Sequence, residues 1–274
     1  MPEPTDAGLI AAARGGDAQA LQSLIARHQD RVYRFGMKMC RDPEDAQEIL
    51  QETMLSLAKG LGDFREDASL TTWLYAVARS HCIKKHRRSK FAPAELQSLE
   101  ARDAPAPPAD ERFDPEAATA AREVDEALQL AIDGLDDTSR EVLVLRDVEG
   151  LTAIEVAGVL GTTTSAVKSR LHRARLAVRN ALAPLLDPAP ATATAGESCP
   201  DVLMQFSRHL EGEIDAATCS ELEAHLEQCP RCRGACDTLR RSLALCGTAG
   251  HAVHVPTAVQ ASVKVALRDF LAEA

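Results

Sequence analysis

Aromatic residues make up only 3% of this 274-residue chain, with a single Trp and two Tyr. So few of the residues that suit pleated, half-buried surfaces argue against a sheet protein. The 45% apolar content, mostly Ala, Leu and Val, fits compact helices instead. No apolar run approaches the roughly eighteen residues of a membrane span, and the acidic, apolar-poor N-terminus does not read as a signal peptide. The expectation is a cytoplasmic protein, in a compartment where thiols stay reduced. Also missing are a phosphate-binding loop, a Ser/His/Asp grouping and a pair of catalytic carboxylates, so an enzyme is not expected. There is no internal repeat and no Cys-x-Cys pair.

The net charge of −10 argues by itself against a nucleic-acid partner. The charge is uneven, however. Lys84, Lys85, Arg87, Arg88 and Lys90 crowd one segment, and Lys168, Arg170, Arg173, Arg175 and Arg179 another. Two basic patches on an acidic chain suit a protein that touches DNA locally.

Two breaks divide the chain. Residues 92–115 hold five prolines among Ala, Asp and Glu and lack helical periodicity, which predicts an acidic tether; 187–196 is a second Pro/Ala/Thr stretch. The blocks between them are 5–91, 116–186 and 197–274, all helical by pattern, so the expected fold class is all-α.

In the first block, Leu21, Leu24, Ile25, Val32 and Phe35 keep helical spacing through Asp17 to Cys40. Asp42-Pro43 opens a second helix with a stripe of Ala46, Ile49, Leu50, Thr53 and Leu57. Ser69 caps a third, with Trp73, Leu74, Val77 and Ile83 expected to face inward. In the second block a helix over Thr138–Val148 ends at Gly150, Thr152 caps a short helix, Gly161 turns the chain, and Thr163 or Thr164 caps a long one. Val167, Leu171, Ala174, Leu176 and Val178 are expected inward, and Lys168, Arg170, Arg173 and Arg175 outward. A short helix, a Gly turn and a basic second helix form a helix-turn-helix, whose second helix enters the major groove. Thr164, Ser165 and Lys168 sit where side chains reach base edges; Arg170 and Arg173 are placed to grip phosphates, with Arg175 in the same basic face.

Six of the eight cysteines, Cys199, Cys219, Cys229, Cys232, Cys236 and Cys246, lie in the third block. His225 and Cys229 are four apart and Cys232 follows a Pro230 turn, which aims one imidazole and two thiolates at a point that Cys199 can complete as a tetrahedral metal site. Cys219, Cys236 and Cys246 are further candidate ligands, whereas Cys40 and Cys82 read as small core residues. Soft ligands admit zinc, cadmium and copper; the Cys229-x-x-Cys232 pair with His225, and the missing Cys-x-Cys pair, favour zinc or cadmium over copper.

The series Asp42-Pro43-Glu44-Asp45-Ala46, Gln51-Glu52-Thr53, Phe64-Arg65, Leu70-Thr71-Thr72-Trp73-Leu74-Tyr75 and Arg87-Arg88 resembles region 2 of the extracytoplasmic-function (ECF) sigma factors. The resemblance implies that the Asp45–Met54 helix, through Asp45, Glu48, Ile49, Gln51 and Glu52, docks on the clamp helices of core RNA polymerase. It also implies that the third helix, with Ser80, Lys84, Arg87 and Arg88, faces the minus-ten element. Ser80 stands where many members carry Asn, which implies altered base preference. Arg140-Glu141-Val142, Glu149-Gly150-Leu151-Thr152, Glu155-Val156-Ala157 and the run Val167 to Arg175 resemble region 4, implying recognition of the minus-thirty-five element of promoter DNA. Cys199-Pro200-Asp201, Leu210-Glu211-Gly212-Glu213, Ala224-His225-Leu226 and Cys229-Pro230-Arg231-Cys232 resemble the zinc-binding anti-sigma domain. The surplus cysteines resemble the CorE-like group, in which a fused cysteine-rich domain senses metal.

The resulting expectation is an intramolecular clamp. Without the inducing ion, the C-terminal domain and its last helix (Val259, Val263, Leu267, Leu271) pack on the sigma blocks; metal at His225 and the cysteines releases them. Two alternatives stand beside it: a thiol switch in which oxidation of Cys229 and Cys232 expels a structural zinc, and a metal-responsive DNA-binding regulator that is not a sigma factor.

Overall fold

The computed structural model describes residues 4–89, 115–186, 199, 201–249 and 253–273, and all regular structure among them is helical. Both expected linkers fall largely outside the described residues, as do Lys90 and the side chains of Arg88 and Leu271.

Side-chain caps set where the chain turns. Helix α1 is Asp6–Arg14, and α2 runs Ala18–Cys40, with the Asp17 carboxylate accepting from the Gln19 and Ala20 amides. Arg41 then adopts a left-handed φ of 61°, and Asp42 caps α3, Pro43–Gly60, by accepting from the Glu44 and Asp45 amides. Each such cap is worth about 1 kcal/mol. Ser69 accepts from the Thr72 amide at the start of α4, Leu70–Ser89. The α3 stripe packs fully: Ala46, Ile49, Leu50, Thr53 and Leu57 are all buried. In α4 the inward face differs from expectation. Leu74, Tyr75 and Ala78 are buried, Trp73 and Val77 are half-buried, and Ile83 is 45% exposed. Trp73 instead meets Phe64 edge-on at 5.9 Å.

Helix α5, Pro115–Asp133, is followed by α6, Asp137–Leu143. The buried Arg140 of α6 donates to the carbonyls of Ile132, Asp133 and Leu135, satisfying acceptors that the end of α5 leaves orphaned. The single helix expected through Val148 changes register: Val144–Val148 is a π-helical turn, closed by the Glu149 amide on the Val144 carbonyl. Such turns re-aim side chains, and here Asp147 and Glu149 reach partners on other helices. Thr152 and Glu155 form a capping box at α7, Ala153–Leu160, and Gly161 at φ 63° turns into α8, Thr164–Leu186. A side chain at that φ would be strained, so the turn needs its glycine.

The remaining helices are α9, Val202–Leu210; α10, Ala216–Gln228; α11, Pro230–Ala249; and α12, Thr257–Glu273. Burial divides the described residues into two cores. The larger joins α1 to α8 with Cys246 of α11 and Val259, Val263 and Leu267 of α12. The smaller holds Val202, Phe206, Leu222, Cys232, Cys236 and Leu239. Helix α11 therefore belongs to both, and α12 leaves the small core to pack on α3.

Candidate functional site

Three short segments build the Cys/His cluster. Cys199 precedes Asp201, whose carboxylate caps α9. His225 lies in the last turn of α10, and Cys229 ends that helix with an extended backbone, φ −115° and ψ 96°. Pro230 then starts α11, which puts Cys232 in its first turn. Arg233 fixes the corner by donating to the carbonyls of Leu226 and Glu227. One ligand atom from each of Cys199, His225, Cys229 and Cys232 lies within 4.8 Å of every other. Bond lengths of about 2.0–2.3 Å in a tetrahedral zinc site need separations only about 1 Å smaller. His225 Nε2 is buried with no hydrogen-bond partner, as an unliganded metal-facing nitrogen would be. Donor set, spacing and orphaned nitrogen all fit a closed Cys₃His ion site. Hydrogen bonding from the Cys232 amide and thiol holds the Cys229 thiol below its usual range, while burial and the neighbouring thiols push Cys232 up to about 12.

The other three candidate ligands stand outside this group. Cys219 lies 3.6 Å from His209 Nδ1 and 3.7 Å from Glu223 at the surface. Cys236 is a buried member of the small core. Cys246 is fully buried in the large core, where burial raises its thiol to about 12.

The helix-turn-helix is α7, the Gly161 turn and α8, with Thr163 supplying the cap by accepting from the Ala166 amide. Ser165 and Arg173 are exposed, and Thr164, Lys168 and Arg170 are half-buried. Arg175 departs from the outward position expected of it. It is 3% exposed, paired with Asp147 at 2.6 Å and with Glu211 at 2.8 Å. Burial alone would lower its pKa, but these carboxylates outweigh that and hold it above its usual value.

Glu211 and Glu213 follow α9 and reach α8 and the π-helical turn. Glu211 also pairs with Arg146 at 3.2 Å. Glu213 meets Lys168 at 3.0 Å and His172 Nε2 at 2.7 Å, and His172 Nδ1 lies 2.9 Å from the Ser207 hydroxyl. Burial pushes the Glu213 carboxyl up, yet the bonds from Lys168 and His172 bring it below its ordinary value. A cleft of about 430 Å³ between α8 and α9, lined by Ser165, Lys168, Arg173, Met204 and Arg208, continues this contact. Glu211 and Glu213 were visible in the sequence only as part of a motif. The signal that marks them is an acid-Gly-acid turn in a chain whose second basic patch needs counter-charge.

In the first block, Asp45 and Glu48 of α3 both pair with Lys85 of α4, the first at 2.9 Å. Gln51 is half-buried, Glu52 exposed, and Ile49 wholly inside the core. Ser80, Lys84 and Arg87 are exposed along α4. Two contacts between the blocks went unforeseen: Glu149 accepts from Tyr75 Oη at 2.6 Å and from both Arg34 Nε and Nη2, and Glu141 pairs with Arg79 at 2.8 Å.

Comparison with known families matches residues 24–91 to "Sigma-70 region 2", 125–178 to "Sigma-70, region 4" and 199–233 to "Putative zinc-finger". The ECF RNA polymerase sigma factor SigM of Mycobacterium tuberculosis is 35% identical over 174 residues, 63% of this chain and 82% of that protein. The RNA polymerase sigma-H factor of Pseudomonas aeruginosa is 28% identical over 68% of this chain and 98% of its own length. A solved structure of CnrH in complex with the cytosolic domain of CnrY covers 64% of this chain and 94% of that one, with 24% identity and a TM-score of 0.44. With both sigma regions matched and a relative aligned over most of its length, the chain belongs to the ECF sigma factors of the sigma-70 family and carries a C-terminal zinc-finger-type domain.

Proposed function

We propose that this protein is a one-component sigma factor: it directs core RNA polymerase to promoter DNA, and its own Cys/His domain governs whether it can do so. The observation that carries the reading is the pairing of Glu211 and Glu213 with Arg146, Lys168, His172 and Arg175. Cations on and beside a recognition helix grip phosphates. While they hold carboxylates of the same chain, DNA must displace an intramolecular partner present at high effective concentration. The α12 contact supports the same reading, since Val259, Val263 and Leu267 pack with the helix proposed to dock on polymerase.

Cys199, His225, Cys229 and Cys232 would hold the inducing ion, zinc or cadmium by donor type. Bound there, a metal supplies Lewis-acid attraction that keeps the thiols deprotonated and couples the small core to ligand binding. Moving a two-state clamp from 1:99 to 99:1 requires about 5.5 kcal/mol of differential binding. Structural zinc sites deliver about 10–16 kcal/mol in small domains, so a fraction of the binding energy is enough. Cys199 and Asp201 precede α9, and α9 leads into Glu211; rearrangement at the ligands is thus transmitted to the carboxylates through one short helix.

The test is transcription by purified protein and core polymerase under reducing conditions, metal-stripped and then titrated separately with zinc, cadmium and copper. Activity that rises with one ion supports gating and identifies the inducer. Equal activity with and without every ion sinks gating and leaves a structural zinc.

A further inference from the structure

Five cysteines stand outside the Cys/His group, and two of them, Cys40 and Cys82, lie in the region 2 block. Cys40 is the last residue of α2 and half-buried; Cys82 lies on α4 and is 3% exposed. Their Sγ atoms are 3.7 Å apart, although 42 residues separate them in sequence. Sequence reading takes both for small apolar fillers, but a filler has no reason to face another sulfur. The neighbourhood is also held in register. His86, one turn beyond Cys82, lies 3.4 Å by Nε2 from the carbonyl of Met39, the residue before Cys40. None of the eight cysteines is in a disulfide.

We propose that Cys40 and Cys82 form a reversible disulfide that clamps α2 to α4 and makes the sigma core itself sensitive to peroxide, independently of the Cys/His domain. A disulfide needs about 2.05 Å between sulfurs, so closure requires an approach of less than about 2 Å, within reach of side-chain rotation and a small helix shift. Cys40 is the accessible partner. Its thiolate attacks one oxygen of hydrogen peroxide, the O–O bond breaks, and a sulfenic acid and hydroxide result. The Cys82 sulfur then attacks the sulfenic sulfur. The S–O bond breaks, the departing hydroxide takes the Cys82 proton and leaves as water, and the S–S bond forms. In sum, two thiols and one peroxide give one disulfide and two waters. The hydrogen bond with Cys40 and then burial raise the Cys82 thiol, and with Cys82 only 3% exposed the half-buried Cys40 is the group that meets the oxidant.

The position gives the bond a consequence. Cys40 adjoins the Arg41–Asp42 turn that launches α3, and Cys82 adjoins Lys84, Lys85 and Arg87 at the basic end of α4. A cross-link there fixes the angle between two helices whose relative placement sets the basic face, and the expected result is weaker promoter opening.

The experiment treats the full-length, zinc-loaded protein with increasing hydrogen peroxide. Free thiols are then alkylated, non-reduced digests are analysed by mass spectrometry, and zinc release is followed in parallel with a chromogenic chelator. The expected result is a Cys40–Cys82 linked peptide at peroxide levels that leave zinc bound, abolished in both Cys40→Ser and Cys82→Ser and reversed by dithiothreitol. Transcription should fall severalfold in the wild type over the same range and stay level in Cys40→Ser, a half-buried position at which serine is tolerated. Recovery of Cys40 and Cys82 as alkylated free thiols at peroxide levels that already expel zinc would overturn the proposal, whatever the variants do. A linked peptide with unchanged transcription would overturn its functional half.

Discussion

Glu211 and Arg175 face one another at 2.8 Å with each side chain only 3% exposed, so an ion pair between the zinc-finger-type domain and the recognition helix is shut away from water. A buried pair is not intrinsically strong, because both charges lose hydration. Its value is specificity. Arg175 keeps Asp147, from its own block, as a second partner, whereas both partners of Glu211, Arg175 and Arg146, lie in the region 4 block. Removing Glu211 therefore leaves Arg175 still paired with Asp147, and the only buried charge that would need new solvation is the Glu211 carboxylate.

Glu211→Gln and Glu213→Gln should release the recognition helix to different extents. Glu213 is partly exposed, and pairs of that kind contribute about 0.2–1 kcal/mol, so its loss should tighten binding of short duplex DNA by about twofold to fivefold. Glu211 lies in the dry part of the contact and should give about tenfold or more. Fluorescence anisotropy with metal-free, full-length protein at low salt reads this directly. Unchanged affinity in both variants would mean that these carboxylates do not compete with DNA.

Cysteine substitutions separate ligands from bystanders. Cys199→Ser, His225→Ala, Cys229→Ser and Cys232→Ser should each lower bound zinc well below one per chain and broaden melting of the small core. Cys219→Ser and Cys246→Ser should leave the stoichiometry unchanged, although serine at Cys246, buried in the large core, should lower the melting temperature. Elemental analysis after dialysis against a weak chelator decides it. Equal metal loss in the Cys246 variant would put that thiol back among the ligands.

What was legible in the sequence was local. Ser69 and Thr152 cap where their types and positions foretold, α3 opens at Asp42-Pro43 as expected, and Gly161 makes the turn with a φ of 63°. The clustering of the candidate ligands was legible for the same reason, since His225, Cys229 and Cys232 are joined by one helix end and one proline corner. Arg175 was not. Helical periodicity cannot distinguish a charge facing solvent from one facing carboxylates that arrive from Asp147 and Glu211. The π-helical turn was missed because its register shift is fixed by where Asp147 and Glu149 find partners, which no window of sequence contains.

Tyr75→Phe tests whether the two sigma regions are held together by the Glu149 contact. The Tyr75 hydroxyl donates at 2.6 Å to a carboxylate that Arg34 also binds, and a hydrogen bond to a charged group is worth about 1.5–3 kcal/mol. With Arg34 still in place, Glu149 is not left unpaired. The expected outcome is a larger radius of gyration by small-angle scattering with helix content unchanged by circular dichroism. An unaltered radius would show that the Tyr75 bond adds nothing to the closed arrangement.

Leu267→Ala and Val263→Ala bear on the last helix. Both residues are buried against the large core, yet α12 comes from beyond the small one, and Lys59 of α3 sits 5.2 Å from the centre of the Phe270 ring. Truncating a buried Leu costs about 2–5 kcal/mol. If α12 is a detachable cover, that cost falls on its docking and not on the helices beneath. Hydrogen exchange should then show α12 amides losing protection by about tenfold or more while α2 and α3 keep theirs, and capture of core polymerase by the metal-free protein should rise. Loss of protection spread evenly through α2, α3 and α12 would instead make α12 part of the permanent sigma core. Its burial of α3 would then be a matter of folding and not of control.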